Sequence, residues 1–237
     1  MLEGNSLYLM KALILAGGFG TRLYPLTIDR AKALLEYRGK PLISHIVYKI
    51  PRNISIMVNI NKKFEADFHK WQQEINREVE ILVEDVLSED QKLGAVGSLN
   101  FWIENRQVAE DLLVIAGDNY FEFDLAQFIA GYDGKHALVA IYDIGDKDKA
   151  TEFGVVQLDG HRITEFQEKP AKPKSSLVAT ACYIFPPRVF SLLRQYCQQG
   201  KRDNLGSFVA YLVDKDEVYT YSFTETWHDI GSVKDLT

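Results

Sequence analysis

From Lys11 onward, short apolar runs of strand length alternate with longer stretches of helical periodicity, the pattern of a mostly parallel sheet covered by helices. The runs at 11–16 (KALILA), 54–60 (ISIMVNI), 79–83 (VEILV), 111–117 (DLLVIAG) and 136–142 (HALVAIY) predict strands, with helices between them near 41–49, 62–76, 94–105 and 124–131. Beyond residue 150 the rhythm changes. Runs at 152–159 (EFGVVQLD), 161–168 (HRITEFQE) and 177–185 (LVATACYIF) are joined by short Gly- or Pro-containing turns, and Asp159-Gly160 is a hairpin signal, so this part predicts antiparallel pairing. Helices near 187–199 and 205–213 and a strand near 217–223 complete the pattern. No repeat, low-complexity tract or long linker divides the chain. The expectation is one α/β domain over 10–237: a Rossmann-like, mostly parallel central sheet flanked by helices, with an antiparallel elaboration. Residues 1–9, with Glu3, Gly4, Asn5 and Ser6 ahead of a second methionine at Met10, read as a flexible leader or a cloning remnant.

Composition narrows the function classes. With 237 residues, 46% hydrophobic and 25% charged, the chain is an ordinary globular protein, neither disordered nor coiled coil. The 27 Lys and Arg against 33 Asp and Glu give a formal charge of −6, so bulk charge does not attract nucleic acid. Cys182 and Cys197 lie outside any CxxC spacing and suit a reducing compartment. The apolar stretch 12–16 is too short for a signal peptide or a bilayer span, so the expected location is the cytoplasm, with no membrane partner.

The chemistry concentrates in LILAGGFGTRLYPLT (13–27), where a buried strand runs into Gly17, Gly18 and Gly20 and then Arg22. Glycines so close together let the backbone approach a ligand, and their N–H groups can cradle an anion. Two phosphate motifs fail here: Leu23 stands where the dinucleotide fingerprint needs its third glycine, and Gly39-Lys40 is followed by Pro41 rather than by the Ser or Thr of a Walker loop. A bare strand-to-helix turn without a ligand is the alternative for the glycine turn taken alone.

The turn does not stand alone. AGGFGTRLYPLT and AKALLEYRGKPLI (31–43), followed in order by LGAVGSL (93–99), AGDN (116–119), EFGVV (152–156), EKP (168–170) and WHDIGS (227–232), resemble the sugar-1-phosphate nucleotidylyltransferases. The resemblance covers Lys11 to the C-terminus. It implies a nucleotide-diphospho-sugar transferase fold, with about 10–120 binding nucleotide and about 121–237 binding sugar phosphate. Its substrates are a nucleoside triphosphate and a sugar 1-phosphate, by default glucose 1-phosphate, with AGDN favouring dTTP or UTP. By resemblance, Leu15, Ala16, Gly17, Gly18, Gly20, Thr21, Arg22 and Gly94 meet the nucleotide, Lys32 the phosphate oxygens at the reaction centre, and Asp118 and Asp229 one magnesium ion. Gly154, Glu168, Lys169 and Thr180 then meet the sugar phosphate, and Arg22, Lys32, Asp118 and Asp229 form the catalytic set. Bottom-up chemistry agrees for the aspartates: two carboxylates are hard oxygen ligands, and Asp118 follows an apolar strand at the end where open α/β sheets bind ligands.

The sequence departs from the family at four places. Ala31 replaces the usual proline, 84–97 has no counterpart to the base-reading Gln-Pro-Ser-Pro stretch of thymidylyl-transferring relatives, and Ser176 and Ala181 stand where Asn and Gly are common. Two other readings remain: a cytidylyltransferase acting on phosphocholine, against which EKP and EFGVV argue, and a catalytically silent regulatory module. Intact Arg22, Lys32, Asp118, Lys169 and Asp229 argue against the second. A homo-oligomer is left open.

Overall fold

The computed structural model describes residues 9–236, so all but the last residue of the expected leader falls outside it. In chain order the elements are β1 (Met10–Leu15), β2 (Glu36–Tyr37), β3 (Lys40–Pro41), α1 (Leu42–Lys49), β4 (Ser55–Asn61), α2 (Glu65–Glu74), β5 (Glu80–Glu84), α3 (Ala95–Asn105), β6 (Asp111–Ala116) and β7 (Asn119–Phe121). Then follow α4 (Leu125–Ala130), β8 (Ala137–Asp143), β9 (Gly154–Asp159), β10 (Arg162–Glu168), β11 (Leu177–Phe185), α5 (Phe190–Gln198), α6 (Leu205–Val213), β12 (Val218–Phe223) and β13 (Trp227–Asp229).

Nine strands form one sheet in the order β5-β4-β1-β6-β11-β8-β12-β10-β9. The expected α/β fold with a mostly parallel sheet is what the chain adopts. β4, β5, β1 and β6 pair in parallel, β12 is parallel to β8, and β10 and β11 run against the rest. The antiparallel pairing expected beyond residue 150 is built into the central sheet: β11 inserts between β6 and β8, and β9 curls back to touch it at Val178 and Val155.

The continuous apolar runs arise because successive residues serve opposite faces of the sheet. On β1, Ala12 and Ile14 enter one core with α1, α2 and α4, while Leu13 enters the other with α3, α5 and α6. Leu113 and Ile115 against Leu112 and Val114 repeat the division on β6. Cys182 and Cys197 are buried free thiols, and desolvation pushes both above the ordinary thiol range. Among the described residues, no helix is long and apolar enough to cross a membrane.

Candidate active site

The strand ends β1, β4, β5 and β6 open onto a cleft of about 420 Å³. Leu15, Ala16, Gly17, Gly18, Gly20, Thr21, Arg22, Lys32, Gly94, Asp118, Lys169 and Asp229 all line it. The glycine turn is held from below. Ala16 N–H donates to the Asn59 carbonyl (2.9 Å), Asn61 Nδ2 donates to the Gly17 carbonyl (3.1 Å), and Phe19 is buried against Phe64. Thr27, fully buried, donates its hydroxyl to the Gly20 carbonyl at 2.7 Å. Gly20 itself is left-handed, with φ 63°, and a Cβ there would press on Thr27 and Lys32. A single 3₁₀ turn, Thr21–Leu23, then presents Arg22, which makes no hydrogen bond or ion pair among the described residues and is free to meet an anion.

Gly18 is the exception in the turn: a Cβ there meets nothing within 4 Å. The fold tolerates a side chain at 18, so Gly18→Val is expected to fold normally yet lose nucleoside triphosphate affinity by tenfold or more, on the order of the loss of one or two backbone contacts to phosphate. Parental affinity in equilibrium titration would show that this turn is not the phosphate cradle.

Asp118 and Asp229 come from segments 111 residues apart and meet through backbone pairing. Asp229 lies opposite Asn119 in the β7–β13 ribbon, Ile230 N–H donates to the Asp118 carbonyl (3.1 Å), and Trp227 Nε1 donates to Asn119 Oδ1 (2.7 Å). Gly117 makes the approach to β1 feasible, since a Cβ there would lie 3.0 Å from the Leu15 carbonyl. Lys32 Nζ binds Asp118 Oδ2 at 2.7 Å. Ala31, before it, already has the φ of −62° that a proline would impose, so losing that proline leaves the local path unchanged.

One lysine does not balance two carboxylates. Asp229 faces the cleft, but desolvation by the surrounding protein and the charge of Asp118 push its carboxyl up to about 6, with Lys32 and Lys169 pulling the other way. Two adjacent oxygen ligands and an open cleft fit a divalent cation that draws its remaining ligands from water and phosphate. No third His, Cys, Asp or Glu completes a cluster with them among the described residues.

The acceptor-side candidates are arranged less uniformly. Lys169, at φ 46°, reaches the cleft, and its N–H donates to the Phe153 carbonyl. Glu168 is half-buried beside it and accepts from Asn204 Nδ2 at 2.7 Å. At Gly154 packing itself requires the glycine, since a Cβ would strike the Phe166 ring and lie 3.1 Å from Glu168 Oε2. Thr180, outside the cleft lining, is buried and donates its hydroxyl to the Ala140 carbonyl at 3.0 Å. Its neighbour Ala181 sits at φ 53° in the β11 bulge, a conformation glycine adopts more readily.

Gly94 combines two roles. It lines the cleft, and its φ of 78° brings it against Arg202 and Asp203, whose carbonyls accept from Gly97 N–H (3.0 Å) and Ala95 N–H (2.9 Å). A Cβ would strike the Arg202 carbonyl, so Gly94→Ala is expected to lower stability by about 1–3 kcal/mol in urea unfolding. A variant as stable as the parent would contradict this packing.

Sequence reading missed Thr27, Asn59, Glu84 and Asn204 as site residues. Glu84, at the end of the edge strand β5, is 6% exposed, lines the cleft and accepts from Asn59 Nδ2 at 2.8 Å. Desolvation raises its carboxyl, opposed by the polar groups of Ser98 and Asn59 beside it. A buried carboxylate kept at such cost beside a ligand cleft is a functional signal only once burial is known.

A family model described as nucleotidyl transferase matches residues 11–237. Among curated proteins, the chain is 28% identical over 232 residues to a Sulfolobus acidocaldarius protein provisionally named mannose-1-phosphate guanyltransferase, covering 96% of this chain and 61% of that protein. It is 31% identical over 233 residues to the bifunctional protein GlmU of Methanocaldococcus jannaschii, covering 96% of this chain and 52% of GlmU. The chain thus spans roughly half to three-fifths of these relatives' length. Among solved structures, a Bacillus anthracis protein provisionally named glucose-1-phosphate thymidylyltransferase superposes with a TM-score of 0.82 at 28% identity, covering 96% of this chain and 92% of that one.

Proposed function

Because this chain belongs to the nucleotidyl transferase family, we propose that it joins a nucleoside triphosphate to a sugar 1-phosphate, giving a nucleoside diphosphate sugar and pyrophosphate. The observation that supports this reading best is one cleft in which an open glycine turn, Arg22 and Lys169, neither in an ion pair among the described residues, and the Lys32–Asp118–Asp229 cluster converge. In the reaction a phosphate oxygen of the sugar 1-phosphate attacks the α-phosphorus in line. The bond from that phosphorus to the bridging oxygen breaks, and its electron pair leaves with pyrophosphate.

The glycine turn N–H groups and Arg22 hold the triphosphate, and Lys32 bears on the reacting phosphate. Lys169 binds the phosphate of the acceptor, and Glu168 accepts hydroxyl hydrogen bonds from its sugar. Asp118 and Asp229 would hold a magnesium ion. Bound there, it would offset charge on the phosphate oxygens. The low exposure and free state of both cysteines suit the cytoplasm.

The finer choice we propose is dTTP or UTP with glucose 1-phosphate, supported by AGDN (116–119) and by the likeness to the Bacillus anthracis protein. A matrix of the common nucleoside triphosphates against sugar 1-phosphates and phosphocholine, scored by pyrophosphate release with magnesium, tests it. The highest rate with dTTP or UTP and glucose 1-phosphate is expected. A GTP and mannose 1-phosphate optimum would overturn the finer choice, a phosphocholine optimum would overturn the acceptor class, and no release from any pair would favour a silent module.

A further inference from the structure

The loop before α6 ties the two halves of the cleft together. On the nucleotide side, the Arg202 and Asp203 carbonyls hold the first turn of α3 through Gly97 and Ala95, and Leu205 anchors the loop in the core. On the acceptor side stands Asn204. Its Oδ1 accepts from Ser207 N–H at 3.1 Å and caps α6. Because a backbone N–H can only donate, that bond fixes the orientation of the amide and leaves Nδ2 pointing at Glu168, 2.7 Å from Oε1. The other carboxylate oxygen lies in a slot walled by Gly154 and Gly206, where a Cβ on either residue would crowd it.

Glu168 is therefore held by a donor on one oxygen and by glycine backbone at the other. Such a fixed acceptor-only group discriminates between hydroxyl arrangements, which a mobile glutamate would not. We propose that Asn204 is a positioning residue for the sugar, setting the direction in which the Glu168 carboxylate meets acceptor hydroxyls, with Gly206 shaping the slot. This rests on the reading of Glu168 as a sugar-binding group.

Asn204→Asp separates positioning from stability. Aspartate caps helices about as well as asparagine, so the bond to Ser207 N–H survives, but the donor to Glu168 is replaced by a like charge. The KM for the sugar 1-phosphate should rise about tenfold or more, with the KM for the nucleoside triphosphate near the parent value and the thermal midpoint lowered only modestly by the like charges. Gly206→Ala should act in the same direction by displacing Oε2. Pairing Asn204→Asp with Glu168→Gln restores a donor facing a carboxylate with reversed polarity and should recover part of the acceptor affinity, which a purely structural defect would not do. Glu168→Ala runs alongside. A parental acceptor KM in that variant would sink the sugar-binding reading itself. A raised KM there, with parental values in both Asn204→Asp and Gly206→Ala, would overturn the positioning role of Asn204 alone.

Discussion

Turnover of Asp118→Asn and of Asp229→Asn is expected to fall on the order of a hundredfold or more, with the fold intact. The ribbon that joins the two residues is made by backbone pairing at Asn119 and Asp229, and asparagine preserves both shape and pairing. What each substitution removes is one negative charge and one ligand oxygen at the point where both substrates bring phosphates. For Asp229→Asn, which breaks no ion pair, stability should not suffer. Asp229 has a folded pKa raised to about 6, above its unfolded value, so its ionised form is disfavoured by folding, and this penalty grows as pH rises from the unfolded to the folded pKa. At neutral pH the Asp229→Asn protein should melt no lower than the parent. Because the two carboxylates act as one unit, the double variant should be little worse than the poorer single one. Strictly multiplicative losses would assign them separate roles, and near-parental turnover of Asp229→Asn at limiting magnesium would remove it from the site.

The two lysines should fail differently. Lys32 is mostly buried and already bound to Asp118 at 2.7 Å, next to where charge develops during transfer. Lys32→Ala is expected to lower kcat by about a hundredfold, the effect of an interaction strongest in the transition state, and to change either KM little. Lys169 is exposed and follows Glu168 on the acceptor side of the cleft. Lys169→Ala should chiefly raise the KM for sugar phosphate, by about tenfold. Steady-state kinetics with each substrate varied in turn distinguishes the two, and equal changes in kcat and KM for both variants would refute the division.

The parts of the fold legible in the sequence are those whose signal is local. β1, β4 and β6 read as largely apolar runs, broken in β4 by Ser55 and Asn59, because both faces of each strand are mostly buried. β7 and β13 did not, since three residues are too few to show a period and their pairing joins Asn119 to Asp229 across the chain. The predicted helix at 62–76 is a 3₁₀ turn, Lys62–Phe64, followed by α2 ending at Glu74, a boundary that propensity alone does not mark. Motifs carry Arg22, Lys32, Asp118, Lys169 and Asp229, all of which line the cleft. Asn204 and Glu84 carry no motif. Their meaning lies in contacts to Glu168, 36 residues away, and Asn59, 25 residues away, and a lone polar residue in sequence does not reveal its partner. At Thr180 the sequence is silent in another way: nothing local shows that its hydroxyl bonds across the sheet to the Ala140 carbonyl, beside the β11 bulge.

In the proposed transfer the acceptor's own phosphate oxygen forms the new bond to the α-phosphorus. Sugar 1-phosphate carrying ¹⁸O in its non-bridging phosphate positions, incubated with magnesium and the best nucleoside triphosphate and followed by ³¹P NMR, shows where that oxygen goes. The expected product is a nucleoside diphosphate sugar that retains all of the label, including the new bridging position, with unlabelled pyrophosphate formed in equal amount. Label in pyrophosphate, or release of orthophosphate without a nucleoside diphosphate sugar, would contradict it.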